Sequence, residues 1–374
     1  MKIKVNKLKS NFFILLLYLW CCLKINGINK NDYLNKNKQI SGKRIGIIAY
    51  TNSNNIGNQL LKYAMDMLLK SFGFQPTLIS IKVKWKKSKK SVNADFLKKY
   101  LNVKEIRNYS TDLNESEFDI LVVNSDQVWA YNFKYILEVG FLSFAKNWNI
   151  RKFVYAASLG YEHWTNSTDV INSAKILINQ FSGVSVREEN SIEIINQYLG
   201  IRPLLVLDPT LLIDKDYYLE IIKNFKMNMD INKNYLCSYI LDRSELKTNY
   251  IKKVSNRLKL HIINIKVGVK DFIEKFLFSI NRCKSVITDS FHGTVFAIIF
   301  KKPFITFINI KRGNMRFLSL NKTLLLDNRF IYPKKEINLD IDMLTEVPKI
   351  NITNFNILKE RSILFLKKNL GMIK

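Results

Sequence analysis

The chain has 374 residues, 47% of them apolar, which exceeds what one hydrophobic core fills, so two well-packed domains of ordinary size are expected. Lys plus Arg number 59 against 31 acids, a formal net charge of +28, but the excess is Lys scattered among Asn and Ile and specifies no nucleic-acid ligand. The four cysteines, Cys21, Cys22, Cys237 and Cys283, show no Cys-x-x-Cys spacing and no His at metal-ligand distance, which argues against a disulfide framework and a structural zinc, and for a reducing compartment.

At the amino terminus, Phe12 to Leu23 is an uninterrupted apolar run behind Lys2, Lys4, Lys7 and Lys9. As a helix it would reach about 18 Å, short of the roughly 30 Å hydrocarbon core. A secretory signal, a shallow membrane anchor and an upstream start codon all fit, and the last two are favoured. After a polar linker, Arg44 to Tyr50 reads as a buried strand. A polar loop follows, then Gly57-Asn58-Gln59, then Leu60, Leu61, Ala64, Met65, Leu68 and Leu69 at helical spacing. With Thr77 to Ile81 as the next strand, this makes a right-handed βαβ unit. The glycines are not spaced G-x-G-x-x-G, so no dinucleotide site is expected.

Lys82 to Lys90 is a dense basic run around Trp85, read mainly as a solvated loop, with a membrane or polyanion contact as the other reading. Further strands are predicted at Asp119–Val123, Lys152–Ala156 and Gly183–Val186, with helices around Ala174–Ile178 and Ser191–Tyr198. Pro203 and Pro209 bracket the domain crossover. The second half repeats the alternation: strands at Tyr235–Leu241, His261–Ile265, Val286–Thr288 and Pro303–Ile308, helices at Lys247–Leu258 and Asp271–Ile280, and a closing helix at Phe355–Lys368. The organisation expected is a segment and linker over 1–42, Rossmann-like domains over 43–202 and 203–345 facing a cleft, and a C-terminal helix over 346–374.

The chemistry is expected at Thr288-Asp289-Ser290-Phe291-His292-Gly293-Thr294, between an apolar strand and an apolar helix. A helix start directly after a strand aims unpaired amides, and the positive end of the helix dipole, at any anion in the loop. His292, one of three histidines, can exchange a proton there near neutral pH. Asp289 either holds its imidazole in one tautomer or caps the helix.

Taken together, Gly57-Asn58, Asn124-Ser125-Asp126-Gln127-Val128-Trp129, Tyr155-Ala156-Ala157-Ser158-Leu159-Gly160, Ser185-Val186-Arg187-Glu188-Glu189, Leu207-Asp208-Pro209-Thr210-Leu211 and the His292 block resemble, in order, the polysaccharide pyruvyl transferase family. Lys311 to Phe317 and Asp327-Asn328-Arg329 fit the same pattern, so the likeness covers about residues 43 to 333. It implies a GT-B-like fold of two Rossmann-like domains, and a transferase that moves pyruvate from phosphoenolpyruvate to a saccharide as a cyclic ketal. It implies no cofactor beyond that donor and no metal. A saccharide or glycan-lipid acceptor and a cytoplasmic location follow, with membrane association through the N-terminal segment left open and no specific nucleic acid.

Within that resemblance, Arg187 is assigned to the donor's anionic groups, with a salt bridge to Glu188 or Glu189 as the alternative. Ser290, Gly293 and Thr294 at the helix start, and Asn58, join it as substrate-binding residues. Asp126 either contacts acceptor hydroxyls or caps a loop, and Trp129 either stacks on a sugar or packs in the core. Arg312 and Arg316 are candidates for donor or acceptor contact, and at least one is expected to be solvated. Asp208 is read as structural at the crossover. Two other functions compete: a GT-B glycosyltransferase using a nucleotide sugar, and a non-catalytic protein that binds polyanions or membranes through its charge.

Overall fold

The computed structural model describes residues 42–49, 55–81, 94–130, 135–228, 230, 232–326, 328–332 and 341–373. The N-terminal apolar run with Cys21 and Cys22, the basic run at 82–90, and Asp327 lie outside the described residues. Short apolar runs such as Ile120–Val123, buried at every position, make strands covered on both faces, the condition of a parallel sheet between helices.

The first unit alternates β1 (Arg44–Ile48), α1 (Ile56–Ser71), β2 (Gln75–Ile81), α2 (Ala94–Tyr100), β3 (Val103–Ile106), β4 (Ile120–Val123), β5 (Arg151–Ala157), α3 (Thr168–Ile178), β6 (Gly183–Val186), α4 (Asn190–Leu199) and β7 (Leu204–Leu205). Its seven strands are parallel in the order β3-β2-β1-β4-β5-β6-β7. The chain then crosses through α5 (Lys215–Ile222) to β8 (Tyr235–Tyr239), α6 (Glu245–Leu258), β9 (His261–Asn264), α7 (Phe272–Arg282), β10 (Ser285–Thr288), α8 (Phe291–Ile299), β11 (Phe304–Phe307), α9 (Met315–Leu324), β12 (Phe330–Ile331) and α10 (Ile352–Asn369). This second sheet is also parallel, in the order β12-β11-β10-β8-β9. Both sheets are doubly wound: the first has the Rossmann order and the second the flavodoxin-like order.

One detail extends the expected boundary of the first domain, and another decides between the two readings of Trp129. Leu204–Leu205 pairs with β6, so the first sheet runs past 202, and the crossover begins at Asp208. Trp129 is wholly buried and stacked on Phe141 at 5.2 Å, with its indole N–H donating to the Gly140 carbonyl at 2.9 Å. It is a core residue and offers no face to a sugar.

The two units share one apolar cluster, from Ile45 and Tyr63 through Tyr218 and Phe296 to Phe304. Tyr218 meets Phe296 edge-on at 4.8 Å. The closing helix α10 ties the second unit back to the first. Leu366 and Leu370 are fully buried, and the Ser362 hydroxyl accepts from the Leu207 amide at 2.9 Å. Among the described residues no helix is long and apolar enough to cross a membrane.

Candidate functional site

In a doubly wound sheet, neighbouring strands whose connections leave on opposite faces open a crevice at their carboxyl ends. Here those pairs are β1 and β4 in the first sheet, and β8 and β10 in the second. The segments leaving all four strands meet in one cavity of about 340 Å³, walled by Asn55, Asp126 and Gln127 on one side and by Leu241, Asp289, Ser290, His292, Arg312 and Arg316 on the other.

Two helix starts point into this cavity from opposite units. Asn55 caps α1 by accepting from the Asn58 amide at 3.3 Å, and Ser290 caps α8 by accepting from the Gly293 amide at 3.3 Å. Each cap satisfies one inner amide, and the first amides of its helix have no partner among the described residues, where the helix dipole also favours negative charge. The two starts touch through Gly57 and His292. A Cβ at Gly57 would collide with the imidazole at Nδ1, so only glycine lets α1 approach this closely.

His292 is 5% exposed. Its Nε2 has no hydrogen-bond partner among the described residues and lies 3.6 Å from Asp208 Oδ2. Asp208 is therefore the carboxylate beside the imidazole, and the expectation for Asp289 is corrected. Asp289 accepts from the Leu241 amide (2.6 Å), the Asp242 amide (3.0 Å), Lys247 Nζ (2.7 Å) and Asn309 Nδ2 (3.4 Å). Those bonds anchor the turn after β8 and leave nothing for His292. Burial alone would raise the Asp208 carboxyl, but His292 first, then Arg187 and Thr210, hold it well below the usual carboxylate range.

Arg187 lies behind the imidazole, with its side chain 2% exposed. It donates to Asp208 Oδ2 (2.8 Å), Ser125 Oγ (3.2 Å) and Glu188 Oε1 (3.3 Å), and sits 3.6 Å from Asp126. The bridge to Glu188 thus forms, while Glu189 pairs with Lys322 at 2.6 Å. Surrounded by three carboxylates, this guanidinium braces the site from within and does not line the 340 Å³ cavity.

Two cations line it without an ion pair among the described residues, the exposed Lys311 and the buried Arg316. Arg316 is 9% exposed; its Nη2 donates to the Arg312 carbonyl, and its buried Nε has no partner among the described residues. Burial, then repulsion from Arg187, lowers it to about 10, so it stays charged at neutral pH. The Phe291 ring lies 5.3 Å from each of the two guanidinium carbons. Arg312, half-exposed, is held by Asp242 through Nε (2.7 Å) and Nη2 (2.9 Å). Asn58 Nδ2 donates to Asp126 Oδ2 at 2.7 Å, and Asp126 Oδ1 accepts from the Gln127 amide at 2.8 Å. Asp126 is thus both a loop cap and a cavity wall. The Thr294 hydroxyl reaches the Ser290 carbonyl (3.1 Å) and Thr306 (2.7 Å), and the Gly293 amide is used by the cap. Both serve α8 and neither lines the cavity.

Lys62, one turn beyond Asn58 on α1, is 2% exposed and was not singled out from the sequence. Burial pushes its amine down to about 7, opposed by the charge of Asp126. Between that value and the ordinary 10.5 the folded protein binds fewer protons than the unfolded chain, so stability rises with pH across the window. Lys62→Met is expected to remove that slope and to raise the melting temperature by a few degrees at pH 7. Identical pH–melting curves for the two proteins would refute the assignment.

The loops of the two units also touch beside the cavity. Gly160 and Gly313 both have positive φ, +74° and +89°, and a Cβ on Gly313 would strike the Gly160 carbonyl. Asn314 Nδ2 donates to Glu162 at 3.2 Å and Gln127 Nε2 to the Arg312 carbonyl at 3.4 Å.

Among solved structures, the chain resembles the S. aureus MnaA–UDP co-structure, at 12% identity over 89% of this chain and 98% of that one, TM-score 0.52. UDP-GlcNAc 2-epimerase from Methanocaldococcus jannaschii gives 13% identity over 87% and 99%, TM-score 0.51. At these identities the likeness shows the fold, that of the GT-B proteins. No curated protein gives a significant match. The family described as polysaccharide pyruvyl transferase matches residues 55–311, from the cap of α1 to the loop before Arg312, which takes in both helix starts and His292. The chain belongs to that family and is a transferase.

Proposed function

We propose that the cavity binds phosphoenolpyruvate and moves its pyruvyl carbon onto two hydroxyls of a saccharide as a cyclic ketal. One observation carries this reading: the guanidinium of Arg316, which carries no ion pair among the described residues, and the imidazole of His292 wall the same cavity that two helix starts face. Phosphate and carboxylate need fixed donors of this kind. His292 as imidazolium gives its proton to the methylene carbon, whose double-bond electrons form the new C–H bond. The first acceptor oxygen bonds to the adjacent carbon as its proton passes to a carboxylate, and Asp126 is the one on the cavity wall opposite His292. Phosphate then leaves with the electrons of its C–O bond. The second hydroxyl closes the ring, and its proton goes to phosphate. Helix-start amides and Arg316 stabilise the charge that gathers on the departing phosphate. Because the donor is a metabolite of the cytosol, the proposal carries a cytoplasmic location with it.

Incubation with phosphoenolpyruvate and a panel of glycans tests the reaction. Inorganic phosphate and a ketal mass gain are expected together. Arg316→Met should weaken donor binding by about 10–100-fold, the worth of a hydrogen bond to a charged group, with a smaller change in kcat. The competing donor is a nucleotide sugar, since MnaA of the same fold is crystallised with UDP. Calorimetry showing binding of nucleotide sugars and none of phosphoenolpyruvate would replace the proposal with that reading.

A further inference from the structure

We infer that Asp208 is the positioning residue of His292, holding its Nε2 as N–H and so presenting Nδ1 to the ligand at the meeting point of the two helix starts. The inference rests on the proposed reaction only for what the proton does, not for where it sits. Asp208 comes from the crossover, and its carboxylate is fixed on both oxygens. Oδ1 accepts from the Thr210 amide (3.0 Å) and hydroxyl (2.6 Å), and Oδ2 accepts from Arg187 Nη1 (2.8 Å) while facing His292 Nε2 at 3.6 Å. That carboxylate is 3% exposed, so water screens it little, and an anion within ~4–6 Å favours the charged imidazole. The opposite edge of the ring, at Nδ1, abuts Gly57 in the first turn of α1.

The other charged groups around the ring are Arg187 behind Asp208, Arg316 across Phe291, and Asp126, which shares Arg187. Asp289, nearest in sequence, is neutralised by Lys247, and Lys62 on α1 feels the charge of Asp126. The two guanidiniums disfavour imidazolium, and Asp208 is the group that offsets them at close range.

The test is an NMR titration of the histidine rings. Only three histidines are present, and His292→Gln identifies the signal. Asp208→Asn is expected to lower the pH at which the His292 ring titrates by about one unit or more, and Asp208→Glu to restore much of it. In the parent protein the neutral ring should keep a slowly exchanging Nε2–H, a readout available even if the Asn variant does not fold. An unmoved titration, or an Nδ1–H tautomer, overturns the inference. A shifted titration in a protein that makes no ketal from phosphoenolpyruvate would keep the positioning role and discard the reaction.

Discussion

His292→Gln is expected to lower turnover with phosphoenolpyruvate and a competent acceptor by about 10²–10⁴-fold, the usual share of a general acid, while donor binding changes little. The separation follows from geometry. In the proposed complex Arg316 and the first amides of α1 and α8 would hold the anion, and the imidazole is not among these groups. Gln also keeps a donor facing Asp208, so the buried carboxylate is not abandoned. Rapid-quench measurement of phosphate release, with calorimetry of the donor, checks both halves. A variant that turns over at more than a tenth of the parent rate would remove His292 from the chemistry.

Arg187→Met is expected to act first on stability. It leaves Asp208, Glu188 and Asp126 buried around an apolar side chain, and breaking a buried pair on one side costs about 3–5 kcal/mol. A fall in melting temperature on the order of 10 °C is expected. Donor affinity should fall less than in Arg316→Met when both are measured well below melting. The reverse pattern, an unchanged melt with donor binding lost, would mean that the guanidinium leaves its three carboxylates to meet the ligand.

The fold was largely legible because its strands are apolar runs and its helices amphipathic, and α1 and α8 were both anticipated at their glycine-containing starts. What escaped were edges. β3 carries Lys104 and Glu105 among four residues, and β7 and β12 are two residues long, too short for a period to register. At the site, sequence neighbourhood misled. Asp289 is three residues from His292 but is consumed by the turn after β8, while Asp208 reaches the imidazole because the crossover folds back between the sheets. Its place in Leu207-Asp208-Pro209-Thr210, a buried strand end turned by proline, was the available signal. For Arg187 the bridge to the adjacent Glu188 was open to the sequence, but Asp126 and Asp208 reach it from two other loops, and no linear pattern shows those converging.

The central claim is that one small anionic donor lies between Arg316 and the two helix starts, with its methylene carbon facing His292. A crystal structure of the protein with phosphoenolpyruvate tests it most directly. The phosphate should accept from Arg316 Nε and from the first amides of α1 or α8, with the methylene carbon against the imidazole. Donor density lodged elsewhere, with Arg316 Nε still unpaired, would contradict the account.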